Sequence, residues 1–164
     1  MKTSMHETSH QGTRHEKEQY RDAAISWLLN FDFDLFVTLT FNRDVSIAFA
    51  RKQLEHFNLR LSQEVYGRKA VSAGRRVVMA AFLEEQGYGR LHWHLLIERA
   101  CKTTTFRGLP KEYVKKCWRE CAGHDKQVDV KDVFDLEGAI RYDSKEMKCD
   151  PDTLHVDWLK NNYK

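Results

Sequence analysis

His92 and His94 stand one residue apart in the stretch LHWHLL, Leu91 to Leu96. Side chains alternate along a strand, so both imidazoles share a face with Leu96. Leu91, Trp93, Leu95 and Ile97 then form an apolar face fit for a core. Imidazole nitrogens are good ligands for divalent metals, although two histidines on a strand can equally serve as packing residues. The residues just upstream bear on that choice. Val77 to Leu83 is an apolar run of strand length, and Gln86, Gly87, Tyr88 and Gly89 read as a tight turn. A hairpin built this way brings Glu84 and Glu85 beside the two histidines. Only one of these carboxylates can face the imidazoles, because they alternate, and periodicity does not say which. Two neutral nitrogens and one carboxylate, with positions left open, are what a catalytic divalent ion needs. Mn²⁺ tolerates imidazole well, whereas Mg²⁺ prefers oxygen and is the cellular competitor.

The second group with chemistry is Tyr142. Asp135 to Lys148 has helical spacing, with Leu136, Ile140 and Met147 as its apolar stripe. Tyr142 lies about 200° around such a helix from Ile140, and Lys145 is three residues on, beside it. A phenol with a pKa of about 10 is a weak nucleophile at neutral pH, and a nearby ammonium or metal ion favours its phenolate. Lys145 could also steady negative charge that develops at a reacting centre. Arg141 and Lys148 add positive charge to the same helix. The plain alternative is a surface tyrosine on a basic helix. Tyr113, followed by Lys116, repeats the Y-x-x-K spacing, but it sits at the edge of its own helix's buried stripe.

A glutamate, a short glycine turn and then HWHLL resemble the motif of the HUH endonucleases, which include rolling-circle replication initiators, relaxases and related transposases. Two further stretches are similar to that family, LFVTLTF (Leu35 to Phe41) and IRYDSKEM (Ile140 to Met147). All three come in the family's order and span most of the chain after Asp34. The resemblance implies a ferredoxin-like palm that nicks and rejoins single-stranded DNA with a tyrosine and a divalent ion, Mn²⁺ or Mg²⁺, through a 5′-phosphotyrosine link. It makes Tyr142 the nucleophile, with Lys145 as its partner, because the family's tyrosine helix follows the last strand, unlike that of Tyr113. It makes His92, His94 and Glu84 the metal ligands, Glu84 being preferred by its distance from His92. One evident tyrosine resembles the single-tyrosine initiators. The implied partner is single-stranded DNA at an origin or hairpin. A separate helicase is expected, because no G-x-x-x-x-G-K loop occurs. A plasmid- or phage-borne bacterial gene is the implied setting. Three alternatives remain: a transposase or mobilisation relaxase of the same superfamily, a metal-dependent nuclease in which water attacks, and a binding module without chemistry.

The elements that must position these groups are legible in outline. Met1 to Lys17 is polar and without periodicity, so a flexible tail is expected before one domain over residues 18–164. Glu18 to Leu29 reads as a helix with Ala23, Ala24, Trp27 and Leu28 inward. Phe33 to Phe41 reads as a central strand, in which Thr38 and Thr40 either line the site floor near DNA or are ordinary strand residues. Ile47 to Tyr66 reads as a helix with Ala50, Leu54, Phe57, Leu61 and Val65 inward. Gly67 to Arg76 reads as a basic loop whose Arg68, Lys69, Arg75 and Arg76 could contact phosphates. Lys111 to Cys121 is a helix with Val114, Cys117, Trp118 and Cys121 inward, and Gln127 to Val133 is a short last strand, suited to an edge. Helices with a hairpin between them predict an α+β fold, an antiparallel sheet with helices packed on it. The composition is ordinary for a globular chain of 164 residues, 41% hydrophobic and 31% charged, and the net charge of +3 permits a polyanionic partner without arguing for one. No apolar run could span a membrane and no secretory signal pattern appears, so a cytoplasmic setting is expected. Cysteines at 101, 117, 121 and 149 read as reduced thiols rather than a zinc site.

Overall fold

The computed structural model describes residues 14–86, 90–98, 109–122, 127–146 and 154–155. The turn expected at Gly87 to Gly89, the polar stretch Arg99 to Gly108, Cys101, Met147, Lys148 and Cys149 lie outside them. The elements are α1 (Arg14–Leu28), β1 (Phe33–Thr40), α2 (Ile47–Ser72), β2 (Met79–Gln86), β3 (Arg90–Glu98), α3 (Lys111–Ala122), β4 (Val128–Asp132), α4 (Leu136–Asp143), a single 3-10 turn (Ser144–Glu146) and β5 (Leu154–His155). The strands form one antiparallel sheet in the order β4-β1-β3-β2-β5. This is the α+β palm expected from the helix and hairpin pattern. β4 lies at an edge.

Alternation divides the sheet into two unlike faces. On one, Leu35, Val37 and Leu39 of β1 join Trp93, Leu95 and Ile97 of β3 and Met79 and Ala81 of β2. α2 and α3 cover this face with Leu54, Phe57, Leu61, Val114 and Trp118, all buried. The Trp118 ring meets Phe41 and Phe57 edge-on at centroid distances of 5.3 and 5.9 Å. The Trp93 indole donates to the Ala50 carbonyl of α2 at 3.1 Å, so this buried ring keeps its N–H paired. Asn58 and Ser62, also buried, tie α2 to the start of β2. Asn58 Nδ2 donates to Val77 O at 2.9 Å, and Val77 N donates to Ser62 Oγ at 2.9 Å.

The other face is apolar only at one end, where Ala80, Phe82 and Leu96 meet Ile25 and Leu28 of α1 and Ile140 of α4. A register shift in β1 between Phe33 and Leu35 lets Phe33 join this second core while Leu35 joins the first. Arg21 of α1 then fastens the end of α4, donating to Ser144 Oγ at 3.3 Å and to the Arg141 carbonyl at 3.2 Å.

Three local expectations need correction. α1 begins at Arg14, and its inward residues are Ile25 and Leu28. Ala23 is exposed and Trp27 packs edge-on against Phe31 at 5.2 Å. The basic segment after Tyr66 is a loop only from Ala73 onward. The helix continues to Ser72 across a kink at Gly67, whose φ of 78° glycine adopts without strain, and Val71 is buried beyond it. The last helix is shorter than its periodicity suggests. α4 ends at Asp143 and tightens into the 3-10 turn that carries Lys145. Among the described residues, no helix is long and apolar enough to cross a membrane.

Candidate active site

The exposed half of the second face gathers the groups with chemistry. β1 and β3 pair Thr38 with His94 and Thr40 with His92, and β2 pairs Glu84 with His92. Glu84 therefore shares the histidine face, whereas Glu85, opposite Leu91, points to the other. The Glu84 carboxylate reaches diagonally to His94, with Oε2 2.7 Å from Nε2.

Each imidazole is held by a threonine on the next strand. Thr38 Oγ1 lies 3.2 Å from His94 Nδ1, and Thr40 Oγ1 lies 3.1 Å from His92 Nδ1. A hydroxyl can donate or accept, so each threonine serves either tautomer of its histidine. His92 Nε2 is buried and has no hydrogen-bond partner. Burial holds both histidines below the ordinary 6.5, against the nearby Glu84 charge, which pulls them up. Their neutral forms are the ones that offer lone pairs.

Tyr142 and Lys145 stand over this group. Tyr142 is 53% exposed, with its ring 6.3 Å from that of His94 and 6.4 Å from that of Phe36. The Lys145 ammonium lies 4.1 Å from the centre of the Tyr142 ring and 3.5 Å from Glu84 Oε1. Desolvation lowers the Lys145 pKa, but bonding to Tyr142 and the charge of Glu84 outweigh it, so the ammonium sits above its ordinary range. The side chains line a cleft of about 900 Å³, which Arg90, Arg119, Asn42 and Gln127 extend beyond His92.

A family model for replication-associated proteins of the ORF2 type matches residues 34–150. The chain belongs to this replication-associated protein family. That places it among the Rep-like proteins of the HUH superfamily and gives it, in general terms, a nuclease-type role in starting rolling-circle replication and an affinity for single-stranded DNA. Neither the curated proteins nor the solved structures give a significant match.

For this Rep-like chain the fit of a divalent ion can be tested on the donors present. Among the described residues, no three His, Cys, Asp or Glu side chains are arranged to hold an ion as they stand. The Glu84–His94 hydrogen bond occupies His94 Nε2 and Glu84 Oε2 in this structure. The donor types do fit. Both Nδ1 atoms are engaged by threonines, which leaves both Nε2 atoms facing the cleft, one of them buried and unpaired.

Several expected residues lie elsewhere. Tyr113 packs against the closed core, on the opposite face from the histidines. Arg68 and Lys69 sit on α2, which covers that same face. Arg75 lies 4.1 Å over the Tyr66 ring, and Arg76 donates to the Val71 carbonyl. Arg141 is paired with Glu137 at 2.8 Å. Cys117 is buried in the core, its thiol pushed up to about 12 by desolvation, and neither it nor Cys121 forms a disulfide. Sequence reasoning missed Arg119 and Asp143. Arg119 reaches the cleft only because α3 ends beside it. Asp143 is buried with neither carboxylate oxygen hydrogen-bonded, 4.0 Å from His94 Nδ1. Burial, with the Glu84 charge, raises it from 3.8 to about 8. Its position after Tyr142 was the only available signal.

Proposed function

We propose that the chain nicks and rejoins single-stranded DNA as a rolling-circle initiator, with Tyr142 as nucleophile and a 5′-phosphotyrosine intermediate. The observation that carries this reading is the convergence of Tyr142, Lys145, Glu84, His92 and His94 on one cleft, from three separate segments of the chain. A divalent ion, Mn²⁺ or Mg²⁺, held by His92, His94 and Glu84 would polarise the scissile phosphate oxygens. Thr38 and Thr40 orient the two imidazoles. Arg90 and Arg119 line the far end of the cleft and offer positive charge to the DNA backbone.

The Tyr142 oxygen, once deprotonated, attacks phosphorus and the bond from phosphorus to the 3′ oxygen breaks. The leaving oxygen takes a proton and becomes a 3′-hydroxyl, while the 5′ phosphate stays on the tyrosine. Attack by a 3′-hydroxyl on that link rejoins strands and restores the phenol. Lys145, whose ammonium lies 4.1 Å from the centre of the Tyr142 ring, would favour the phenolate and the extra negative charge of the phosphorane. Unwinding lies outside this scheme, and a separate helicase is part of the proposal.

The decisive experiment is covalent capture. The protein is mixed with Mn²⁺ and a pool of single-stranded stem-loop DNAs, then denatured, and the adduct is mapped by mass spectrometry. An adduct on Tyr142 that vanishes in His92→Ala is expected. Cut DNA without any adduct would instead mean that water is the nucleophile.

A further inference from the structure

Phe134 is 96% exposed, the most open of the large apolar side chains among the described residues. It occupies the bend between β4 and α4, and this bend is fastened on both sides. Val133 N donates to the Asp34 carbonyl at 2.8 Å. Asp135 caps α4, its Oδ1 accepting from Gly138 N at 2.9 Å. A Cβ at position 138 would collide with that carboxylate, so glycine permits the close cap. The exposed ring is therefore carried on ordered backbone.

Beside it lies a recess of about 450 Å³, walled by Phe36, Ala139, Val133 and Tyr142. The recess shares Thr38, His94 and Tyr142 with the catalytic cleft, so the two adjoin across these side chains as a groove along β1. Along β1 the groove changes character. Thr40 and Thr38 face the histidines, then Phe36 faces the recess, about 13 Å from Thr40 at the usual strand rise. Of the charged side chains at the rim, Lys131 is paired with Asp129 at 2.7 Å, Asp132 with Lys111 at 2.6 Å, and Asp135 caps α4. This end of the groove thus offers aromatic surface, in contrast to the arginines at the other end.

We propose that Phe134 and this recess form a stacking subsite for one nucleobase of single-stranded DNA, next to the phosphate presented to Tyr142. The proposal rests on the nicking reading for the position of that phosphate. A base has the flat uncharged face that an exposed phenyl ring binds, whatever its identity. The recess adjoins the catalytic cleft, which favours DNA over a protein partner.

The test is equilibrium binding to the full chain in EDTA, read by fluorescence anisotropy. The probes are an oligo(dT) of about 12 nucleotides and an abasic strand with the same number of phosphates. Phe134→Ala should bind oligo(dT) about tenfold more weakly. It should bind the abasic strand like the wild type, and Phe134→Trp should restore oligo(dT) binding. Melting temperatures should not change, because the ring buries almost nothing. Unchanged oligo(dT) affinity, or an equal loss on both probes, would overturn the subsite. So would a change in light-scattering mass with no change in DNA affinity, which would make Phe134 a protein contact. Absence of a Tyr142 adduct in the wild type would sink the nicking reading alone, because the base-dependent difference is measured without chemistry.

Discussion

The two faces of the sheet are built from the same strands, yet one is closed and the other is open. On the closed face Leu35, Val37, Leu39, Trp93, Leu95 and Ile97 are essentially inaccessible beneath α2 and α3. On the open face their sequence neighbours Phe36, Thr38, His92 and His94 are half-buried, and α1 and α4 cover only the end near Leu96. The strand period of two lets one segment do both jobs, since Trp93 anchors the core between two histidines that face the cleft. The contrast suggests that stability and chemistry are separable here, residue by residue.

That separation can be broken, or made sharper, by substitution. Tyr142→Phe should abolish the covalent adduct in the capture assay while leaving the melting temperature in place, because the ring is exposed. On the closed face Trp93→Ala should cost ~3–5 kcal/mol of stability, read from urea midpoints, through cavity formation. Thr38→Val and Thr40→Val keep the side-chain shape and remove the hydroxyl at each Nδ1. Each should weaken Mn²⁺ binding by about 10- to 100-fold in calorimetry, with little effect on folding. Arg21→Ala loosens the open face at its covered end. The loss of two hydrogen bonds should cost about 1 kcal/mol and slow nicking by a few-fold, because α4 carries Tyr142.

The remaining expectation concerns pH dependence, where the groups of the open face act in opposite directions. His92 and His94 have folded pKa values below 6.5, so the unfolded chain binds more protons there. Their contribution to stability is present above 6.5 and is lost as pH falls through the lowered values. Asp143 is raised to about 8, so its contribution is present below 3.8 and is lost as pH rises through about 8. Urea midpoints of the metal-free protein should therefore decline on both sides. His94→Gln should flatten the acid limb and Asp143→Asn the alkaline one. If both limbs survive both substitutions, the open face does not control stability.

Much of this arrangement could be read locally. Alternation in Leu91 to Ile97 assigned Trp93 to a core and His92 and His94 to a shared face, and α2 buries Ala50, Leu54, Phe57 and Leu61 as its spacing predicts. Local periodicity failed where something distant prevailed. The helix past Gly67 is held by the burial of Val71, and α1 turns Ile25 inward because Phe82 and Ile140 meet it there.

The sequence by itself determined the elements in outline, the alternation of each strand and the spacing of Tyr142 from Lys145, because these depend on residues a few positions apart. It left open which glutamate faces the imidazoles, and it contained nothing to show the threonine–histidine bonds, the burial of Asp143, or the meeting of Arg119 and Phe134 with one groove. Those follow from strand register and helix docking, which join residues as far apart as Thr38 and His94. Only the folded chain sets such distances, because the burial that favours them exists only once both partners are in place.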